Sequence, residues 1–575
     1  AHLTTPQKLL LLGDGSAPNE TDRWKPLWQS DPGNPAYFME YAMAYCRDHN
    51  KLSPEILETA ARIDADNAWY PAIEAAAKAK TALKKKSPDY YARQRGEKTT
   101  YSVIDEAAFA NALELFRQAA AKPRLTNHQV ELRSQRSPLL PKRRDLVSQF
   151  PGQTFDLSQN CGTIKLSSLA EAICIEAGRC AERKDIAGFQ QLVTDWRWLV
   201  SSAARNGVSL LDLLVAKALF TIPLGHLRDA AKSLGLEADA GKFATLYQQH
   251  EDKHGRPRKR MPDSETSETA VIMETKSSVM TWLTLTPGRR QADAPPPISE
   301  ADLRPGRYTD HALFGRVHAL ASWAILGLCA GLAALSRMRE SETNNRMAGR
   351  LQDLLPWQDW VRILAGGITV PLLWFFTISR LTPLSAREWS MRITGFQQPA
   401  CQLGAMTLLV LVTSAVIAAG CLVKRAGILG PKPRLPWLGW LAVISAALAI
   451  PVFGAVMAVG PLGMTAFYTG CSLAGVALLW LAWGFIRHTF RKPSGADLRR
   501  ATLARIMVPT WIFGMLIFAL LVPVYYAEER QWIKQEHLLE ITPATNGMSR
   551  YEWDLTQVIR KELLAKLDQS APFHL

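Results

Sequence analysis

The chain has 575 residues, 21% of them charged, with a formal net charge of +15 and an isoelectric point near 9.4. That length exceeds one ordinary core and calls for two or more domains. A basic excess of this size suggests nucleic acid, but its placement argues against that: residues 1–310 hold 42 Lys+Arg against 38 Asp+Glu, whereas residues 311–575, which contain all the long apolar runs, hold 25 against 14.

The first 252 residues read as a helical, extramembrane domain. "DPGNPAY" at Asp31 returns as "DADNAWY" at Asp64, which separates Asn34 from Asn67 by about one helical-hairpin period. Helix patterns follow at Ala36–Arg47 and Pro54–Ile63, the second with Ser53 as N-cap and Pro54 at the first helical position. Over residues 31–70 this period and turn resemble a tetratricopeptide repeat, with Ala42 and Tyr45 where the repeat places a small and an aromatic residue. Pro54 departs from the pattern. The resemblance implies stacked helix–turn–helix units that bind a peptide of a protein partner, and an irregular helical bundle is the competing reading.

Further along, residues 81–100 are polar and read as a loop, helix resumes near Ile104–Ala121, and residues 122–145 form a basic loop. Ser168 with Glu171 predicts a capping box, and Ser209 with Asp212 repeats the idea. Between them Asp185 caps a stripe of Ile186, Phe189, Leu192, Val193, Trp196, Leu199 and Val200 that Gly207 ends. Leu210–Leu234 follows, with a kink expected at Pro223. Residues 253–310 are linker-like around a short apolar island, Val271–Leu285, expected to be interfacial or extended.

Six segments then fit a bilayer: Val317–Leu335, Ile363–Ile378, Leu403–Val423, Trp437–Val459, Thr465–Ile486 and Ile506–Ala527. The loops after the first, third and fifth carry Arg337, Arg339, Arg346 and Arg350, then Lys424, Arg425, Lys432 and Arg434, then Arg487, Arg491, Lys492, Arg499, Arg500 and Arg505. Those after the second and fourth offer only Arg380, Arg387 and Arg392. The positive-inside rule puts the first set in the cytoplasm and both chain ends outside it. Residues 528–575 form a tail in which Ser549 and Glu552 cap an amphipathic helix with Tyr551, Leu555, Val558, Ile559, Leu563, Leu564 and Leu567 on one face; docking on the helical domain is the expectation.

Chemistry is harder to find. No GxGxxG, Walker A, HExxH or GxSxG stretch occurs, so no catalytic, cofactor-binding or metal-ligating residue is assigned and no cofactor is expected. The eight cysteines show no metal spacing. Cys329, Cys421 and Cys471 fall in spans, while Cys46, Cys161, Cys174 and Cys180 are compatible with one disulfide. "GLCAG" at Gly327–Gly331 suits close helix packing, and Pro451 and Pro461 flank a stretch of broken-helix character. His318 and Arg362 sit at span ends, where snorkelling is the simpler role. The opening "AHLTTPQKLLLLGDG" has too short an apolar run for a signal peptide and leaves room for an upstream segment removed by processing.

The expectation is an all-α fold: a hairpin-repeat-like domain (1–252), a linker (253–310), six membrane helices (311–527) and an extracytoplasmic tail (528–575). Such a chain reads as a scaffold or accessory subunit of a bacterial inner-membrane complex that captures a protein partner and binds no nucleic acid. A transporter component is the second reading and a membrane-embedded enzyme the third.

Overall fold

A computed structural model describes residues 3–86, 100–140, 145–148, 165–254, 267–292, 294–391, 397–426, 436–458, 463–489, 496–541, 545 and 548–569. The fold is all-α apart from one short hairpin. In the helical domain α1 is Thr5–Leu12, α2 Glu20–Ser30, α3 Pro35–His49, α4 Pro54–Ile63, α5 Trp69–Ala82, α6 Glu106–Ala120, α7 Gln129–Arg136, α8 Ser167–Arg183, α9 Ile186–Asn206, α10 Leu210–Ser233 and α11 Glu237–His254. The expected polar loop at 81–100 is corrected at its ends: β1 (Leu83–Lys86) pairs antiparallel with β2 (Thr100–Val103).

The repeated turn is built the same way twice. Asn34 Nδ2 donates to Asp31 Oδ2 at 3.2 Å, and Asn67 Nδ2 donates to Asp64 Oδ2 at 2.7 Å. Each asparagine then accepts from the backbone two residues on, at 3.0 Å in both cases, and so opens the next helix. Ser53 caps α4, Asp185 caps α9 through Gly188 N at 2.8 Å, and Ser209 caps α10. The Ser168–Glu171 box does not form. Leu166 occupies the cap position of α8 without a side-chain bond, and Glu171 pairs instead with Lys85 Nζ of β1 at 2.8 Å. Helix α10 continues through Pro223.

The island at Val271–Leu285 is helical, not extended. It contributes to α12 (Ser267–Lys276) and α13 (Val279–Gln291), and Met273 and Leu285 are buried in the main core of the helical domain. The tail helix α22 (Arg550–Gln569) enters the same core with Tyr551, Leu555, Ile559, Leu563 and Leu567. Arg560 fixes its register by donating to Ala204 O at 2.9 Å and Gly207 O at 2.7 Å. The tail therefore docks on its own domain, and a cut at 252 passes through a shared core.

The second half contains α14 (Glu300–Met338), α15 (Glu342–Asp353), α16 (Trp357–Val361), a π-helical turn (Arg362–Thr369), α17 (Val370–Leu381), α18 (Gln397–Ala426), α19 (Pro436–Ala458), α20 (Gly463–Thr489) and α21 (Ala496–Ile533). Seven helices of the described residues are long and apolar enough to cross a membrane. Five of these stretches carry exposed Leu, Ile, Val, Met or Trp side chains; the sixth, α18, is the central helix of its block. The seventh, α10, lies in the core of the helical domain and exposes no large apolar side chain. The chain is thus all-α with a membrane part.

Two helices dominate that part. α14 and α21 run antiparallel, with Gly315 against Tyr525 and Gly327 against Met515. At 1.5 Å per residue, 39 residues span about 58 Å, roughly twice the hydrocarbon thickness. The N-terminal surplus of α14 and the last turns of α21 therefore extend out of the membrane block toward the helical domain, while the first turns of α21 extend at the opposite end, where Arg505 meets α15. Of the GLCAG pair only Gly327 packs this way; nothing lies near Gly331.

Candidate functional site

The ends of α14 and α21 carry a polar junction that joins the helical domain to the membrane block. Arg307 is almost fully buried and donates to Lys276 O at 2.9 Å, while its other terminal nitrogen lies 3.5 Å from Glu388. Tyr308 donates to the other Glu388 oxygen and meets Trp532 edge to face at 4.8 Å. Arg387 lies 4.0 Å over the Tyr308 ring and reaches Glu528 at 3.3 Å. Arg380 grips both Glu528 oxygens in a two-pronged pair at 2.5 Å. Arg316 pairs with the fully buried Glu529 at 3.2 Å, and Glu529 also accepts from Leu146 N at 2.8 Å.

Asp310 is the least compensated member. Its Oδ2 accepts from Val279 N at 2.7 Å at the start of α13, whereas Oδ1 has no hydrogen-bond partner among the described residues. One residue earlier in the capping turn, Ser278 takes the N-cap of the same helix. A carboxylate there also faces the positive end of the α13 dipole. Lys276 lies 3.8 Å over Trp389, and burial, then the nearby Arg307, pushes its amine below the ordinary lysine range. Pairs this buried are costly to break, so the junction fixes how the domain sits on the membrane helices.

A second stitch lies deeper. Gln402 is 1% exposed, accepts from Ala386 N at 3.1 Å, and donates to Leu384 O at 3.0 Å and Ile450 O at 3.1 Å. Gly454 permits this: a Cβ there would fall 1.5 Å from Leu384 O. Close backbone approach therefore accounts for the glycine beside Pro451; Pro461 lies outside the described residues.

His318 and Arg362 have local partners. His318 Nε2 lies 3.1 Å from Thr407 Oγ1, which also bonds Ser322 at 2.8 Å, making a small buried polar cluster between α14 and α18. Arg362 pairs with Asp359 at 2.9 Å, and Asp359 takes Arg425 at 2.7 Å. Among the described residues no group of three or more His, Cys, Asp or Glu is arranged to hold a metal ion. Cys46, Cys174 and Cys180 are unbridged; Cys161 lies outside the described residues.

In the helical domain the repeated turn carries its own charged network. His128 bridges Asp64 at 2.8 Å and Glu131 at 2.6 Å, and Arg124 pairs with Asp64 at 2.7 Å. Burial disfavours the imidazolium, but the bonds to Asp64 and Glu131 outweigh it and raise His128 above its ordinary 6.5. Burial likewise opposes the Asp64 carboxylate, yet hydrogen bonds from His128 and Asn67 hold it below its ordinary 3.8. A raised His stabilises below the unfolded value and loses that contribution as pH rises through the folded one. A depressed Asp stabilises above its unfolded value and loses it as pH falls through the folded one. The pair is therefore strongest between about pH 4 and 6.5. Thermal melts of the full chain should show a higher midpoint at pH 5.5 than at pH 8.5, and His128→Gln should shrink that difference. An unchanged difference in the variant would remove His128 as its source.

No family model, curated protein or solved structure matches the chain.

Proposed function

We propose that the protein is a multi-pass membrane scaffold whose helical domain captures a protein partner outside the cytoplasm. The observation that carries this reading is the duplicated Asp–Asn turn, which opens α3 and α5 through the same hydrogen bonds, together with half-buried aromatic side chains on α2 and α3. Trp28 stacks on Tyr41 at 5.0 Å, and Tyr45 stacks on His49 at 4.1 Å. Tyrosine and tryptophan in this half-exposed state supply binding energy at protein interfaces with little entropy to lose. The buried junction supports the same reading, because a docked domain presents that surface at a fixed distance from the bilayer.

A photo-crosslinking residue at Tyr45 of the full chain should yield a discrete protein adduct in cells, and Trp28→Ala should weaken it. Adducts that are equally frequent from Glu237, on the exposed side of α11, would contradict a dedicated surface.

The His318–Ser322–Thr407 cluster and the π-helical turn favour a second reading, a transporter component, since both features recur at functional sites in helices. The cluster joins only α14 and α18, and Gly367 of the π-helical turn lies against the Ser414 backbone, where close packing alone accounts for the irregularity. The scaffold reading is preferred on that ground. Placement in a bacterial inner membrane, with both chain ends outside the cytoplasm, is part of the same proposal and rests on the basic loops.

A further inference from the structure

The short helix α15 between the first two candidate spans is held from one side only. Arg505 Nη1 donates to Asn345 O at 2.6 Å, Ala348 is fully buried, and Gly349 lies against the same guanidinium. The other faces point away from protein. At about 100° per residue, Met347, Leu351 and Leu354 fall along one edge, Arg350 and then Arg346 follow on one flank of it, and Asp353 and Glu342 lie just beyond Arg346 on that flank. The apolar edge is uncovered: Met347 is 49% exposed and Leu354 53%, with Met338 at 80% and Trp357 at 71% flanking the helix. Arg339 and Arg350 have no side-chain partner among the described residues, and Arg346 has only an exposed pair with Glu342.

An apolar edge bordered first by Arg350, with Arg346 and the acids farther round the helix, matches a helix lying in the polar boundary of a bilayer. The charge selects the lipid. Lys424, Arg499, Arg500 and Arg505 carry the same sign at the neighbouring helix ends, whereas Arg425 is matched by Asp359, and a headgroup of net negative charge complements such a surface. We infer that α15 binds anionic phospholipid headgroups through Arg339, Arg346 and Arg350, with Met347, Leu354 and Trp357 seated among the acyl chains. This rests on the membrane reading above and adds a lipid preference to it.

Native mass spectrometry of the detergent-solubilised full chain, titrated with phosphatidylglycerol and separately with phosphatidylcholine, tests it. The parent chain should bind phosphatidylglycerol more tightly. The triple variant R339Q/R346Q/R350Q should lose roughly fivefold in that affinity per arginine removed, with phosphatidylcholine binding unchanged. R339K/R346K/R350K keeps the charge and should retain most of the preference, which separates charge loss from misfolding. Equal binding of the two lipids by the parent chain, an undiminished preference in the glutamine variant, or a lysine variant as weak as the glutamine one would each overturn the inference. A chain that stays in solution when mixed with vesicles after detergent removal would overturn the membrane reading as well, and flotation of the vesicles distinguishes that failure.

Discussion

Glu529→Ala should lower the thermal stability of the solubilised full chain by roughly 3 kcal/mol, in the range seen when one partner of a buried ion pair is removed. The carboxylate is fully buried, and its loss leaves Arg316 without its anion and Leu146 N without its acceptor. Arg316 keeps 19% of its side chain exposed and lies 5.2 Å from the Tyr526 ring, which holds the expected cost to the lower end of that range. The same variant should make residues 145–148 more sensitive to limited proteolysis, because Glu529 is one of two ties to α21, the other being the Tyr526 hydroxyl on Asp145 at 3.2 Å. Glu529→Gln retains an acceptor for Leu146 and should fall between the two. Full stability in the alanine variant would mean that the junction does not hold the domain to the membrane helices.

Trp196→Ala should be at least as damaging, at about 3–5 kcal/mol, the range for deleting a large aromatic ring from a packed core. Trp196 is fully buried, stacks on Phe220 at 5.7 Å, meets Phe243 at 6.2 Å, and donates to Leu219 O at 2.9 Å. It therefore joins α9, α10 and α11 at one point. Trp196→Phe keeps part of the ring contacts but gives up the hydrogen bond and leaves a small void, so a smaller loss of about 1–3 kcal/mol is expected. Chemical denaturation followed by circular dichroism distinguishes the two values. Equal, small losses would place the core's weight elsewhere.

Local rules read from the sequence held where the partners were close in the chain. The stripe from Phe189 to Val200, the caps at Ser53, Asp185 and Ser209, and the tail helix from Tyr551 all need only residues within a few turns. They failed where a distant partner competed. Glu171 left its capping box for Lys85, a contact between α8 and β1 that no spacing rule reveals. The Val271–Leu285 island looked extended because Glu274 and Lys276 broke its apolar run; in the fold Lys276 covers Trp389 while Met273 faces the core.

The junction was missed for a related reason. Asp310, Arg316, Glu528 and Glu529 flank the apolar windows, and a reading by spans treats such flanks as solvated loop. Their signal was present in helix length: the polar residues before Val317 and after Ala527 continue the helices α14 and α21. The repeated Asp–Asn turn was legible because its hydrogen bonds are local, whereas the His128 and Arg124 partners of Asp64 come from some sixty residues away.

Orientation is the claim on which the scaffold proposal depends, and accessibility labelling addresses it directly. In a cysteine-free background, single cysteines at Lys51, exposed beside the hairpins, and at Arg350, on the free side of α15, are treated with a membrane-impermeant maleimide on intact cells. Labelling at position 51 before permeabilisation and at position 350 only after it is the expected pattern. Labelling of position 350 on intact cells, with position 51 protected, would invert the arrangement and remove the helical domain from the compartment in which its partner is proposed to lie.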